Sequence, residues 1–334
     1  MHQFKHSSLA LLLLTLWLFG NKCKIAGGQN NLRTEVRTCT QVKRQIFEEV
    51  KTFSAFIHGA QELKFTVDNC KPYAPLIVGG SPASPKEFPH IARLGHASIN
   101  KPTEWFCGGT LISERFVLTA AHCFSTNRFY PPEFHSGEVN IVRLGDLDFG
   151  RESDDARPED FRVRRYIEHN EYNSATIYND IALVELERSV TFDAYKHPAC
   201  LPTNSGDEFQ KLVAIGWGST RFADSDSKKL LKVTLNRLGF DQCQRLIAFS
   251  DVDQLPRGVE NRLQICAGSN EAKDTCSGDS GGPLLAYHPD YPCMYTVIGI
   301  TSYGIGCGIP GQPGIYTRVY SYIDWIRINV WQQR

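Results

Sequence analysis

Eleven cysteines, the first at Cys23 and the last at Cys307, constrain the fold of this 334-residue chain more than any other feature. In an oxidising compartment, a chain with so many cysteines usually folds around a framework of disulfides. Zinc binding is the alternative, but no two cysteines form a Cys-x-x-Cys pair. The odd number leaves one thiol over. We expect it to be Cys23, which borders a removable N-terminal segment, so that ten cysteines remain for five bridges.

The N-terminus has the proportions of a signal peptide. Lys5 and the free amine precede an apolar run over residues 9–19, which ends at Gly20. A membrane-spanning helix needs about 20 apolar residues, so this run is too short, and a buried helix is the remaining alternative. We predict a signal peptide over residues 1–26, cleaved between Gly20 and Ala26, and a secreted, extracellular protein.

The charge balance argues against two classes of partner. Lys plus Arg and Asp plus Glu both number 36, which gives a formal net charge of +0. This provides no electrostatic reason to expect nucleic acid or an anionic membrane as a partner. With 42% hydrophobic and 22% charged residues, the composition is that of a globular protein.

Residues 27–76 and residues 77–334 differ in their hydrophobic pattern. The first segment spaces apolar residues three and four positions apart, which predicts an amphipathic helix that stops near Gly59. These residues are Val36, Cys39, Val42, Ile46, Val50, Phe53 and Ile57. The second segment has short β-rich runs between Gly, Pro and Asn clusters, which predicts an all-β barrel or sandwich. A short C-terminal helix is predicted over residues 322–330.

Three stretches of residues 77–334 carry side chains that nucleophilic catalysis uses. His122 stands in Thr-Ala-Ala-His-Cys, Asp180 in Asn-Asp-Ile-Ala-Leu and Ser280 in Cys-Ser-Gly-Asp-Ser-Gly-Gly-Pro. Any one of them means little, but the three in this order are highly specific. From Ile77 onward the chain resembles the chymotrypsin-fold (S1 family) serine proteases, and more narrowly the snake-like catalytic domains of insect clip-domain proteases. The resemblance implies two packed six-stranded antiparallel β-barrels with the active site in the cleft between them.

The resemblance implies a role for each catalytic residue. Ser280 is the nucleophile, and His122 is the base that takes its proton and later protonates the leaving amine. Asp180 holds the imidazole in the correct tautomer. The backbone N–H groups of Gly278 and Ser280 form the oxyanion hole. A catalytically silent homologue that acts as a binding or decoy protein is the alternative, but such relatives usually replace the serine.

The same resemblance predicts which peptide bonds are cut. Asp274, six residues before Ser280, occupies the position of the floor of the specificity pocket. A carboxylate there needs a cationic partner, which an Arg or Lys of the substrate supplies. Ser302, Gly304 and Gly314 are implied to line the open pocket. We therefore expect trypsin-like cleavage after Arg or Lys.

Residues 75–80, Pro-Leu-Ile-Val-Gly-Gly, resemble the activation site of the family. Cleavage between Leu76 and Ile77 would free an α-amino group, which is implied to pair with Asp279 and to order the oxyanion hole and pocket. Because Leu76 is not basic, this zymogen should not activate itself, and we expect an upstream protease with an apolar pocket. Trp105 replaces the histidine with which many zymogens of the family restrain that aspartate, so this latch is absent or different.

The resemblance also implies how most of the cysteines pair. The expected family pairs are Cys107–Cys123, Cys243–Cys266 and Cys276–Cys307. Cys200 normally bonds the pro-segment over residues 27–76, and Cys70 is its nearest candidate partner. Cys39 and Cys293 then remain, and we pair them by elimination. Connectivity itself cannot be read from sequence. So few cysteines precede residue 77 that we expect no six-cysteine clip domain.

No cofactor is expected to be required, and the catalytic groups include no metal ligand. The acidic stretch from Asp146 to Asp160 is a candidate calcium site, because relatives bind calcium in this loop and calcium takes six to eight oxygen ligands. A solvated acidic loop is the alternative.

The long pro-segment and Leu76 favour a component of a regulated extracellular cascade, immune or developmental, over a digestive trypsin. The expected partners are protein substrates, the upstream activating protease and, from family habit, a serpin inhibitor.

Overall fold

The computed structural model describes most of the chain and all of the strands and helices discussed below. The described residues are 34–46, 48–53, 62–67, 80–124, 138–151, 153–219, 226–248, 253–269, 278–288, 294–304 and 311–332. No helix within these ranges is long and apolar enough to cross a membrane.

The elements are numbered in chain order. The strands are β1 (Glu48–Phe53), β2 (Glu62–Val67), β3 (Ser81–Pro82), β4 (Ile91–His96), β5 (Glu104–Leu111), β6 (Phe116–Thr119), β7 (Ile141–Leu144), β8 (Glu159–Glu168), β9 (Ala182–Leu186), β10 (Lys211–Gly216), β11 (Leu231–Arg237), β12 (Gln264–Gly268), β13 (Pro283–Tyr287), β14 (Tyr295–Gly304) and β15 (Pro313–Arg318). The α-helices are α1 (Thr34–Ile46), α2 (Phe240–Ala248) and α3 (Ile323–Trp331), and 3-10 turns cover Ala121–Phe124 and Val319–Tyr322.

Strands β4 to β9 close into the first antiparallel barrel, in the ring order β4-β5-β6-β9-β8-β7. Every residue of β6 and of β9 is buried, and Leu94, Leu118 and Leu183 are fully covered by the core. Closure leaves this sheet without an unpaired edge. Short apolar strands are stable here because each has a hydrogen-bonded neighbour on both sides.

Strands β10 to β15 form the second barrel, in the order β10-β13-β14-β15-β12-β11, and the pairing of β10 with β11 closes the ring. The two-residue strand β3 adds to the outside of β11. The prediction of an all-β fold with two six-stranded antiparallel barrels is confirmed.

The two barrels are joined by a stretch of paired backbone. The N–H of Phe149, from the loop after β7, donates to the carbonyl of Lys228 at 2.9 Å. The N–H of Leu230 donates back to the carbonyl of Leu147 at 2.8 Å. This main-chain pairing fixes the loop before β11 against the first barrel.

The C-terminal helix is confirmed as α3. Its Ile323 and Ile326 are buried in the same hydrophobic cluster as Leu94 of the first barrel. It carries Asp324 in its first turn, where the helix dipole favours a negative charge.

The N-terminal segment is only partly helical, as expected, but its helix is shorter than the periodicity suggested. Helix α1 ends at Ile46, and residues 48–67 contain the antiparallel hairpin β1–β2, in which Val50 is opposite Phe65. The prediction of a helix to Gly59 is therefore wrong. The spacing of apolar residues could not reveal the hairpin, because the partner of β1 lies in a later stretch of sequence, at residues 62–67.

The disulfides confirm two expected pairs and correct two others. The structure forms Cys107–Cys123 and Cys243–Cys266. It also joins Cys39 to Cys200, so the predicted pairs Cys70–Cys200 and Cys39–Cys293 are wrong. The reason is the packing of α1: its Cys39 and Val42 are buried in one cluster with Cys200 and Met294. The pair Cys276–Cys307, Cys70 and Cys293 lie outside the described residues.

Candidate active site

His122 lies on the 3-10 turn Ala121–Phe124, directly after β6. The disulfide Cys107–Cys123 ties this turn back to β5. The His122 side chain is 10% exposed, so one edge of the ring reaches the cleft. The fold therefore presents a single imidazole at the end of a fully buried strand, where its position is fixed by covalent and main-chain restraints.

Asp180 is 1% exposed and its carboxylate accepts three hydrogen bonds. Its Oδ2 accepts from His122 Nδ1 at 2.7 Å and from the Ser302 hydroxyl at 2.5 Å, and its Oδ1 accepts from the His122 backbone N–H at 2.9 Å. Because an ionised carboxylate only accepts, the shared proton belongs on Nδ1 of His122. The Thr317 hydroxyl donates a hydrogen bond to the Asp180 backbone carbonyl at 2.7 Å.

Each member of this pair shifts the pKa of the other. Burial alone would lower the pKa of His122, but the charge and hydrogen bond of Asp180 outweigh it and raise that pKa. Burial alone would raise the pKa of Asp180, but the charge of His122 and the hydrogen bonds from His122 and Ser302 lower it. The carboxylate therefore stays ionised, and the imidazole is a better base than a free histidine.

Ser280 lies on a glycine-rich segment that packs against the turn of His122. Its carbonyl oxygen accepts the N–H of Gly108 on β5 at 2.7 Å and lies 3.8 Å from Sγ of Cys123. The neighbouring Gly278 and Gly281 have φ of +93° and +75°, a backbone region that only glycine enters at low cost. The segment thus brings Ser280 of the second barrel against the histidine turn of the first.

Asp279 is 9% exposed and lies against two glycines of the second barrel. The N–H of Gly218 donates to its Oδ1 at 2.8 Å, and a Cβ added to Gly218 would lie 2.5 Å from its Oδ2. Position 218 requires glycine because the Asp279 carboxylate occupies the space that a Cβ would need. Leu76 and Ile77 lie outside the described residues, so the pairing of Asp279 with a new terminus stays a prediction.

The predicted pocket residues in the described part of the chain come from two neighbouring strands. Gly304 of β14 is opposite Gly314 of β15, and Ser302 is buried two residues before Gly304. A Cβ added to Gly314 would lie 3.0 Å from the ring of Tyr316, so a larger residue would crowd this wall. Asp274 lies outside the described residues, and its place at the pocket floor stays a prediction.

Sequence reasoning missed the residues that support Asp180. Ser302, predicted to line the pocket, also donates to the Asp180 carboxylate, and Thr317 holds its carbonyl oxygen, yet they are 122 and 137 residues away in sequence. Asn179 has φ of +55°, and its Oδ1 accepts the Tyr322 hydroxyl at 2.9 Å. The tolerance of Asn for left-handed backbone is the one signal that the sequence carried for this turn.

The acidic loop is largely neutralised by cations of this chain. Arg143 binds both oxygens of Asp160, at 2.7 and 2.9 Å, and reaches Asp146 at 3.4 Å. Burial raises the pKa of Asp146 despite Arg143, and the charge of Asp154 adds to the rise. Oδ2 of Asp154 is buried and makes no hydrogen bond within the described residues. Among the described residues, no three acidic side chains of this loop lie close enough together to share one ion, so the calcium site stays a prediction.

Comparison with known proteins identifies the family. Residues 77–326 match the Trypsin family model. Serine protease snk of Drosophila melanogaster is 40% identical over 274 residues, which cover 80% of this chain but only 60% of that protein. Phenoloxidase-activating factor 1 of Holotrichia diomphalia is 35% identical over 268 residues, 76% of this chain and 70% of that protein. Melanization protease 1 of Drosophila melanogaster is 36% identical over 276 residues, 76% of this chain and 65% of that protein.

The family match covers the segment that contains both barrels, the hydrogen-bonded His122–Asp180 pair and the Ser280 segment packed beside it. Matched over this whole segment, the chain belongs to the trypsin family of serine proteases.

Proposed function

We propose that the chain is the secreted zymogen of a serine endopeptidase that cuts peptide bonds after Arg or Lys. The observation that carries this proposal is the buried His122–Asp180 pair, joined at 2.7 Å beside the segment of Ser280. A binding or decoy protein would need neither the base nor the nucleophile, and this chain keeps both.

In the reaction that we propose, Ser280 Oγ attacks the carbonyl carbon of the scissile bond and its proton moves to Nε2 of His122. Asp180 keeps the other imidazole proton on Nδ1, which leaves Nε2 able to accept one. The carboxylate then stabilises the imidazolium. The proton passes to the amine as the C–N bond breaks, and water repeats the sequence to release the acyl group.

The negative charge on the former carbonyl oxygen would be stabilised by the backbone N–H groups of Gly278 and Ser280. The positive φ of Gly278 supports this assignment, because the peptide must turn to aim its amide into the cleft. Loss of one such donor typically lowers kcat by about 10²- to 10³-fold.

The preference for Arg or Lys rests on Asp274, which would pair with the cationic side chain at the bottom of the pocket. Ser302, Gly304 and Gly314 would form walls that a long side chain can pass. The small residues opposite one another on β14 and β15 support this part of the proposal.

Activation would follow cleavage of the Leu76–Ile77 bond by an upstream protease with an apolar pocket. The new amine of Ile77 would enter beside Asp279, which is already buried against Gly218. The disulfide Cys39–Cys200 would keep α1 attached to the catalytic domain after the cut. The active form would therefore consist of two chains that this bridge holds together.

The names of two relatives suggest a setting for this activity. One is a phenoloxidase-activating factor and another is a melanization protease. We place this chain by analogy in an extracellular proteolytic cascade, immune or developmental, with protein substrates and a serpin as its inhibitor. A digestive trypsin is the second candidate, and the disulfide that tethers the pro-segment disfavours it.

The experiment uses purified zymogen cut at Leu76–Ile77 by chymotrypsin or elastase, with Ser280→Ala treated in parallel to measure the activity of the added protease. Both proteins are assayed on chromogenic peptides that end in Arg, Lys, Phe or Leu. Turnover of the Arg and Lys peptides that depends on Ser280 is the expected result. Complete cutting without such turnover would favour the decoy instead, and turnover of only the Phe or Leu peptides would refute the assigned pocket.

No cofactor enters this mechanism, so EDTA should leave kcat unchanged. If calcium binds in the Asp146–Asp160 loop, it should instead raise the melting temperature, because a ligand that binds only the folded state stabilises it. Asp154→Asn should remove that rise without changing kcat. Reversible loss of activity in EDTA would contradict this expectation.

A further inference from the structure

Arg93 is an arginine inside a strand that otherwise belongs to the hydrophobic core. Its neighbours Ile91, Ala92 and Leu94 on β4 are buried, and its own side chain is only 11% exposed. Burial lowers the pKa of Arg93 even though a nearby carboxylate opposes the shift. A buried guanidinium is costly to desolvate, so an apolar residue at this position would serve the core better.

The guanidinium reaches out of the first barrel to the second. Its Cζ lies 4.3 Å from the ring centroid of Phe149 and 5.8 Å from that of Trp217, and these rings meet edge to face at 5.4 Å. Its Nη2 donates to Oδ2 of Asp226 at 3.1 Å. Arg93 therefore holds one ring from each barrel and one carboxylate at the mouth of the cleft.

Asp226 is fixed by its backbone as well as by Arg93. It forms a β-bridge with Ser219, and the next residue, Ser227, donates its N–H to the carbonyl of Trp217 at 2.9 Å. Its side chain remains 37% exposed. The carboxylate is thus partly exposed, on a segment that is bridged to the residues after Trp217.

The other oxygen of Asp226 borders Gly278. A Cβ built on Gly278 would lie 2.9 Å from Oδ1 of Asp226 and 3.0 Å from Cα of Gly218. Gly218 is also the residue whose N–H holds Asp279. One side of Gly278 is therefore a wall made of Asp226 and Gly218, and both belong to the segments that Arg93 clamps.

We propose that Arg93 is a positioning residue for the oxyanion hole: by holding Asp226 and Trp217, it fixes the wall against which the peptide of Gly278 lies. The inference rests on the proposed function, because it assigns no activity of its own. Glycine at positive φ has no side chain to limit its motion, so its amide needs external support to keep its direction. An amide that must meet a developing oxyanion loses most of its effect when its direction varies.

Arg93 also balances charge at this wall. An unpaired carboxylate beside Gly278 would repel the oxyanion of the tetrahedral intermediate, and the guanidinium reduces that repulsion. Burial raises the pKa of Asp226 despite the charge of Arg93. Desolvation therefore exceeds pairing for both partners, so the pair is poorly explained as a device for stability.

The test compares activated wild type with Arg93→Met, Arg93→Lys and the double variant Arg93→Met/Asp226→Asn. Arg237→Met is the matched control, because Arg237 has a 10% exposed side chain whose partners, Asp207 and the Gly206 carbonyl, are not part of this wall. Each protein is assayed for kcat and KM on an Arg peptide, for inhibition by benzamidine and for inhibition by a peptide argininal. Benzamidine probes the pocket alone, whereas the aldehyde adds to Ser280 and forms an oxyanion.

We expect Arg93→Met to lower kcat about tenfold or more and to weaken the argininal by a similar factor. KM and benzamidine inhibition should stay within about twofold, since the pocket is not disturbed. Arg93→Lys, which keeps the charge, should retain most of kcat, and the double variant should recover part of the loss. Arg237→Met should change none of these values, whatever its effect on melting temperature.

Two results would overturn the inference in an active wild type. Arg93→Met with unchanged kcat would make Arg93 purely structural, and a joint loss of kcat and benzamidine binding would mean that the whole site collapses. If Arg93→Met does not fold, Asp226→Ala removes the wall directly and must lower kcat with benzamidine inhibition intact. Inactivity of the cut wild type would refute the proposed function instead.

Discussion

The two barrels bring different kinds of structure to the site. The first supplies His122 and Asp180, which are buried, hydrogen-bonded to each other and fixed by a disulfide beside the histidine. The second supplies Ser280 on a segment whose flanking Gly278 and Gly281 have positive φ. The half that we propose to transfer the proton is thus fixed by packing, whereas the half that carries the proposed nucleophile is a glycine-rich backbone held by contacts with neighbouring segments. A switch operated by proteolysis therefore has its natural target in the second barrel.

The largest effect is expected from a substitution that disrupts only the His122–Asp180 pair of the first barrel. Asp180→Asn keeps the size of the side chain but lets the imidazole take the wrong tautomer, so kcat on an Arg peptide should fall about 10⁴-fold. Benzamidine should still bind, because the pocket lies in the second barrel. An effect below about tenfold would mean that the buried pair is not the catalytic base, and Glu187→Gln serves as a control for loss of an unrelated acid.

A smaller effect is expected from a substitution in the second barrel that leaves the His122–Asp180 pair intact. Asp279→Asn removes the charge that the new amine of Ile77 would meet, so kcat/KM should fall about 10²-fold. Benzamidine inhibition should weaken with it, unlike in Asp180→Asn. The His122 pKa, measured by NMR, should not move. A cut Asp279→Asn protein with normal activity would refute the activation mechanism.

The pH profile sharpens the comparison further. Asp180 raises the pKa of His122 above its ordinary value of 6.5. The base must be neutral to act, so kcat/KM should fall about tenfold per pH unit below that raised pKa. In Asp180→Asn only burial remains and lowers the pKa, so the residual activity should extend to lower pH. A wild-type midpoint below 6 would contradict the assigned pair.

Much of the site could be predicted from short stretches of sequence. His122, Asp180 and Ser280 each stand in a stretch of specific residues whose order along the chain is itself informative. Short apolar runs between turn residues predict the barrel strands. These signals are local, so they can be read from the sequence without knowing which distant segments contact each other in the fold.

What could not be predicted depends on contacts between distant segments. Helix α1 packs its Cys39 against Cys200, 161 residues away, and nothing in the spacing of the cysteines favoured Cys39 over Cys70. The pairing of β1 with β2 likewise required a partner strand. The support that Ser302 gives Asp180 arises only because β14 passes behind the carboxylate.

The smallest expected effect on activity concerns the tether. Cys39→Ser should break the bridge between α1 and Cys200 in the cut enzyme, whereas Cys70→Ser should leave that bridge intact, because Cys200 is bonded to Cys39. Mass spectrometry of the activated protein without reductant distinguishes the two. Turnover should be nearly unchanged in both variants, since the bridge lies in a different hydrophobic cluster from the residues that flank His122. Loss of that bridge in Cys70→Ser alone would contradict the observed pairing.

The most direct test of the central claim is labelling by diisopropyl fluorophosphate before and after cleavage at Leu76–Ile77, with the modified residue located by mass spectrometry. An active site assembled from the two barrels and completed by the cut predicts one phosphoryl group per cut chain, on Ser280, and little label on the uncut zymogen. Fully cut protein without label on Ser280, or equal labelling before the cut, would contradict the account.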